Sequence, residues 1–176
     1  MTLGQRLGPL IVRAALDADM AAIQRLYAAE VATGTATFEE EAPSVSEMTA
    51  RRAACVSHGC PYLVAEQAGV VVGFATAGPF RARSAYRFTV ENTVYVDPAA
   101  ARKGVARALM ERVIADCRDA GFAQMVAVIG DENPASVGFH TAMGFTLIGR
   151  LERVGFKHGR WLDTTLMQRA LEPDQF

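Results

Sequence analysis

The stretch from Phe88 to Ile129 constrains the fold more than any other part of this chain. Phe88 to Val96 (FTVENTVYV) is strongly β-forming, with apolar residues at alternating positions. Asp97 and Pro98 stop that strand, and a loop of small residues follows. Leu109, Val113 and Ile114 then put an apolar stripe on a helix from about Gly104 to Ala120, with Gly121 at its C-terminal cap. Gln124 to Ile129 is a short buried strand. A strand, a helix and a strand in this order form a right-handed crossover that leaves the two strands parallel. The sheet therefore contains a parallel pair with a helix packed across it.

The flanking segments supply the remaining elements. Leu10 to Ala14 is a strand, and Asp17 is placed to cap a helix whose apolar positions Met20, Ile23, Leu26 and Tyr27 repeat at helical spacing. That helix ends before Gly34, and residues 35–43 (TATFEEEAP) form a loop with one large apolar side chain, Phe38. Ser44 and Glu47 have the spacing of a capping box and open a second helix to about Ser57, which His58, Gly59 and Pro61 break. Tyr62 to Glu66 and Val70 to Ala77 form a hairpin around Gln67, Ala68 and Gly69. After an Arg-rich turn segment from Gly78 to Arg87 comes the crossover, and then Asn133 and Pro134 start a helix that Gly144 closes. Thr146 to Val154 and Arg160 to Arg169 are two strands joined across Gly155 to Gly159. No repeat, linker or low-complexity tract interrupts residues 1–176, so a single α/β domain with a mixed sheet is expected.

Composition narrows the function. Eighteen Lys plus Arg against nineteen Asp plus Glu leave a net charge of -1, without the basic excess of a general nucleic-acid binder. Cys55, Cys60 and Cys117 are odd in number and lack CxxC spacing, so they form neither a disulfide framework nor a zinc site. No apolar run reaches the roughly 18 to 20 residues that span a bilayer. The first twenty residues lack the basic start, long apolar stretch and cleavage site of a secretory leader. A cytoplasmic protein without metal, membrane or nucleic-acid partner is the expectation.

Chemistry concentrates in VYVDPAAARKGVARALM, Val94 to Met110. Gly104 and Ala106 sit where the crossover helix begins, and a helix start presents unpaired N–H groups and a positive dipole end to a phosphate. Arg102, Lys103 and Arg107 add positive charge there. Small residues between strand and helix are also an ordinary connection. No GxxxxGK with Ser or Thr and no GxGxxG occurs, which removes P-loop hydrolases and standard dinucleotide folds.

A second stretch, NPASVGFHTAMGF from Asn133 to Phe145, lies one strand beyond the crossover helix. Together the two stretches resemble the GNAT superfamily of acetyl-CoA-dependent N-acetyltransferases. That family's pyrophosphate loop reads Q/RxxGxG/A, matched here by Arg102, Lys103, Gly104, Val105 and Ala106 after Ala101 in place of Gln or Arg. Backbone amides do not depend on that side chain. Its later motif reads roughly NxxAxxxYxxxGF, matched by Asn133, Gly144 and Phe145, with Ser136 for Ala and His140 for Tyr. TATFEEEAPS, ENTVYV, the helix-borne His and GFKHGRWLDTTLMQ further resemble the phosphinothricin and methionine sulfone or sulfoximine acetyltransferase group, over about residues 11 to 170.

The resemblance implies a mixed, mostly antiparallel sheet with helices on both faces. It implies that the strand from Glu91 splays from its parallel neighbour, freeing backbone groups of Val94, Tyr95 and Val96 for the pantetheine arm of acetyl-CoA. The Val96 N–H would face the thioester oxygen. Residues Arg102 to Arg107 would hold the pyrophosphate, and Asn133 would touch the pantetheine end or serve only as an N-cap. Amine acetylation needs a neutral amine, whereas an α-amino group is largely protonated near neutral pH. Glu91 is the candidate base, direct or through a water, and His140 the candidate acid, substrate ligand or structural residue. Arg81 and Arg83, with Ser84, Ala85 and Tyr86, could grip a substrate carboxylate, and Phe38 either closes over the substrate or plugs the core. His158, Arg160 and Trp161 reach either the site or a subunit interface of an expected homodimer. The expected reaction is direct acetyl transfer to a small amino acid or analogue. A protein N-terminus or an aminoglycoside as acceptor, or an acyl-CoA sensor without turnover, are the alternatives.

Overall fold

A computed structural model describes residues 8–171. Residues 1–7, part of the stretch read above for a leader, and residues 172–176 lie outside the described residues. Seven strands form one sheet in the order β1-β2-β3-β4-β5-β7-β6. They are β1 (Leu10–Ala14), β2 (Tyr62–Gln67), β3 (Val70–Pro79), β4 (Thr89–Val96), β5 (Gln124–Gly130), β6 (Thr146–Lys157) and β7 (Arg160–Ala170). Among the described residues only β4 and β5 pair in parallel. Every other neighbouring pair is antiparallel.

Strand alternation sorts the helices to two faces. Val64 and Phe74 point to a cluster built with Met20, Ile23 and Tyr27 of α1 (Met20–Thr33) and Met48 of α2 (Val45–Ser57). Their chain neighbours Leu63, Ala65 and Ala75 point the other way, to Val105, Leu109 and Val113 of α3 (Val105–Asp119). Met143 and Phe145, which follow α4 (Pro134–Ala142), join this second cluster. The apolar stripes that mark the helices in the sequence are the ones that seal these two layers.

Two expectations change. Asp17 does not cap α1: residues 17–19 form a 3-10 turn and α1 starts at Met20. The nearby carboxylates are taken elsewhere, Asp17 by Arg52 at 2.8 Å and Asp19 by Arg13 at 2.6 Å and by the Leu16 N–H at 2.7 Å. Nor do Gly155 to Gly159 form the join between the last two strands. β6 continues to Lys157, and the turn shrinks to His158 and Gly159, at φ 50° and 74°. Two successive residues at positive φ match the twist of a tight hairpin. The Ser44 box forms as read, with the Ser44 N–H on the Glu47 carboxylate at 2.6 Å and the Glu47 N–H on the Ser44 hydroxyl at 3.2 Å.

Candidate active site

The parallel ladder between β4 and β5 pairs only Thr89, Val90 and Glu91 with Gln124, Met125 and Val126. Beyond Glu91 the two strands diverge, and the β5-facing edge of β4 has no ladder partner. A cavity of about 320 Å³ occupies the opening. Val94 and Tyr95 of β4 line it, as do Val128, Ile129 and Gly130 of β5 and Asn133, Ser136 and His140 at α4. Ala36, Thr37 and Phe38, with Tyr27 of α1, form another part of its wall.

Glu91 and Asn92 both line the cavity although successive strand residues point to opposite faces, because it opens along the free edge of β4. Glu91 shares its face with Tyr95, whose ring packs on Tyr27 of α1 at 5.3 Å between centroids. Burial pushes the Glu91 carboxyl above its ordinary 4.5, and the Arg81 charge opposes that rise. A carboxyl shifted upward is a better match for a proton acceptor near neutrality.

Asn92 is on the opposite face, between α3 and α4. Its Nδ2 donates to His140 Nε2 at 3.1 Å, and its Oδ1 is buried without a partner. His140 is 4% exposed, and its Nδ1 lies 2.8 Å from the Ser136 carbonyl. A carbonyl only accepts, so Nδ1 carries the proton and Nε2 is the acceptor facing Asn92. Burial holds the imidazole below its ordinary 6.5, against the Ser136 bond. His140 therefore lines the site as a neutral ring.

At the start of α3, Gly104 adopts φ 82°, and a Cβ added there would meet nothing within 4 Å. The first helical bond runs from the Ala108 N–H to the Gly104 carbonyl at 3.0 Å, leaving the N–H groups of Val105, Ala106 and Arg107 without intrahelical acceptors. The Val105 side chain is in the core, so only its backbone serves the site. Lys103 bonds the Ala99 carbonyl at 2.7 Å, and Arg102 and Arg107 are exposed beside the turn. An open glycine turn with three free N–H groups and flanking cations fits a pyrophosphate. Asn133 Oδ1 accepts the Ser136 N–H at 2.9 Å and so caps α4 while facing the cavity.

The substrate candidates separate. Phe38 lines the cavity, its ring seated over two glycines: an added Cβ would stand 2.9 Å from the ring at Gly130 and would overlap its Cε2 and Cδ2 at Gly155. Arg81, Arg83, Ser84, Ala85 and Tyr86 are exposed and do not line the cavity, although the Arg81 charge acts on Glu91. Val96 also lies outside the lining. Burial raises the Cys60 thiol to about 11 and the Cys117 thiol to about 12, and no cysteine lines the cavity. Sequence reasoning missed Asn92, although it adjoins Glu91. It also missed Tyr27, whose hydroxyl shares a 2.9 Å hydrogen bond with Thr37, and Lys157.

The family described as "Acetyltransferase (GNAT) domain" matches residues 12–166. A phosphinothricin N-acetyltransferase of Alcaligenes faecalis is 50% identical over 161 residues, spanning 91% of this chain and 82% of that protein. An L-methionine sulfoximine/L-methionine sulfone acetyltransferase of Salmonella typhimurium is 39% identical over 93% of this chain and 95% of its own. The crystal structure of a phosphinothricin acetyltransferase from Sinorhizobium meliloti in complex with acetyl-CoA superposes with a TM-score of 0.89, at 43% identity over 94% of both chains. With its diverging parallel pair, its open helix start and these relatives, the chain belongs to the GNAT family of acetyltransferases.

Proposed function

We propose that this enzyme acetylates the α-amino group of a small amino acid or analogue of the phosphinothricin, methionine sulfone or methionine sulfoximine type, with acetyl-CoA as cosubstrate. The observation that carries the reading is the cavity between β4 and β5, with a carboxylate raised by burial among its lining residues and an open helix start in the connection that follows β4. Arg102 to Arg107 hold the pyrophosphate, the edge of Val94 to Val96 takes the pantetheine amides, and Asn133 meets their far end. Bound there, acetyl-CoA supplies an activated acetyl thioester. Glu91 accepts the proton that the amine must lose, directly or through one water. The β4 edge near Val96 offers its N–H to the charge that develops on the carbonyl oxygen. His140, held neutral with its Nε2 toward Asn92, orders the α4 side of the cavity. We assign a substrate carboxylate to Arg81, supported by the reach of its charge to Glu91; Arg83, Ser84, Ala85 and Tyr86 shape that loop. Phe38 covers the acceptor's side chain.

Residues 10–170 share one continuous sheet, which supports reading the chain as one N-acetyltransferase domain. Three free thiols suit a reducing compartment such as the cytoplasm, and among the described residues no helix is long and apolar enough to cross a membrane. Apolar side chains exposed on β6 and β7 support a homodimer.

Thiol release from acetyl-CoA, measured against methionine sulfone, methionine sulfoximine, phosphinothricin and the ordinary amino acids, tests the reading. Selective turnover of one group is expected. A flat response across all of these, with turnover on a peptide or polyamine, overturns the substrate assignment.

A further inference from the structure

Lys157 is 1% exposed, yet none of its hydrogen-bond partners is a carboxylate. Its Nζ donates to the Gly34 and Thr37 carbonyls, both at 2.9 Å. Burying an ammonium is costly unless its donors are used, and an apolar side chain would fill the same space without that cost. The two carbonyls are three residues apart, at the ends of the short loop that supplies Ala36, Thr37 and Phe38 to the cavity wall. One buried side chain therefore closes this loop from below.

The same hairpin tip grips the loop at other points. His158 Nε2 lies 3.2 Å from the Gly34 carbonyl. Arg160 pairs with Asp131, and Asp131 accepts the Thr35 hydroxyl at 3.2 Å. Gly155, two residues before Lys157, leaves the space that the Phe38 ring fills. The loop also stands on a defined side of the sheet. It is bonded to Tyr27 of α1, whose ring meets Tyr95, and Tyr95 shares the β4 face of Glu91. The start of α3 and His140 belong to the opposite face. The wall that Lys157 holds is thus the wall facing the proposed base, not the one serving the pyrophosphate.

We propose that Lys157 is a positioning residue for the acceptor amine: by pinning residues 34–37 it sets Phe38 and Thr37 against the substrate beside Glu91. The proposal deepens the acetyltransferase reading above and rests on it. Lys157 touches no reacting atom, so its loss changes how the acceptor binds and leaves the proton transfer in place.

The test compares wild type, Lys157→Met and Gly155→Ala, each shown to be folded by its melting curve. Lys157→Met keeps the length of the side chain and removes the donors, while Gly155→Ala keeps Lys157 and displaces the Phe38 ring. In both, the KM for the best amine should rise about tenfold or more with kcat nearly unchanged, as expected when ground-state binding is lost. Calorimetric affinity for acetyl-CoA should stay within about twofold of wild type. Hydrogen exchange of residues 34–38 should quicken in Lys157→Met. An unchanged amine KM in Lys157→Met overturns the proposal whatever Gly155→Ala does, as does an equal loss of acetyl-CoA affinity, which would mark general damage. If Lys157→Met does not fold, Lys157→Gln, which keeps an amide donor but shortens the reach to the two carbonyls, takes its place with the same expected rise in amine KM, and an unchanged KM there overturns the proposal. Failure of the acetyltransferase reading shows separately, in the wild type, as no thiol release with any amine, and would take this proposal with it.

Discussion

At the scale of single residues, the cavity is lined by two titratable groups that burial moves in opposite directions. Glu91 is raised by burial, so its carboxylate holds a proton more strongly than an exposed one does. Glu91→Gln keeps the size but cannot accept a proton, and turnover should fall roughly 100-fold while acetyl-CoA affinity persists. The gap should be widest near neutrality and narrow as pH rises, because more of the amine then arrives uncharged. A stopped assay across that range decides it: wild-type rates at every pH would make Glu91 an ordinary strand residue. His140 is lowered, so near pH 6 the unfolded chain binds a proton that the folded chain refuses. Stability therefore rises with pH through this window and is lost as pH falls below the ordinary 6.5. His140→Gln has nothing to titrate there, and its unfolding free energy, measured by urea melts between pH 5 and 8, should fall less steeply on acidification than that of wild type.

At the scale of elements, the start of α3 carries two separable properties. Gly104 sits at φ 82° with open space where a Cβ would be. Gly104→Ala should therefore cost only the backbone strain of a left-handed alanine, about 1 to 2 kcal/mol, and keep acetyl-CoA affinity. Gly104→Glu adds a negative charge in the pyrophosphate cradle and should abolish binding in a folded protein, as calorimetry would show. Unchanged affinity there would remove the turn from the site. This element was legible because its cues are local: a stopped strand, a glycine, and an apolar stripe of helical period. The same is true of the Ser44 box and of the Asn133 cap, where side chain and partner lie three residues apart. Where the reading failed, the deciding partner was distant. Asp17 looks like a cap until Arg52 takes its carboxylate, and Lys157 offers no local cue because its partner Thr37 lies 120 residues away. The Arg81 to Tyr86 segment carries a different kind of cue: its residues are exposed outside the cavity lining, and of them the Arg81 charge is felt at Glu91.

At the scale of the whole molecule, the sheet divides the work. One face carries α3 and α4, the other carries α1 and the 34–38 loop, and the split between β4 and β5 is where the two meet; the function proposed above gives the first to the cofactor and the second to the acceptor. The far end of the sheet is unfinished by comparison. β6 is an edge strand, and Leu147, Ile148 and Leu151 on it are 64%, 59% and 47% exposed. Phe156 and Trp161 pair edge to face across the hairpin and are still 54% and 52% exposed. Large apolar side chains exposed along one edge strand are a feature that a partner strand or a second copy would cover. A second copy of the chain is the occupant that the family resemblance implies, and sedimentation at low micromolar concentration should give twice the 18.9 kDa of one chain. Ile148→Asp puts a charge on the exposed edge, at a residue that does not line the cavity. It should shift the protein toward monomer while acetyl-CoA affinity holds. Because Lys157 sits at the end of the same strand, loss of the dimer should raise the amine KM before it touches kcat. A wild type that sediments as a monomer at that concentration would leave the β6 edge without this partner.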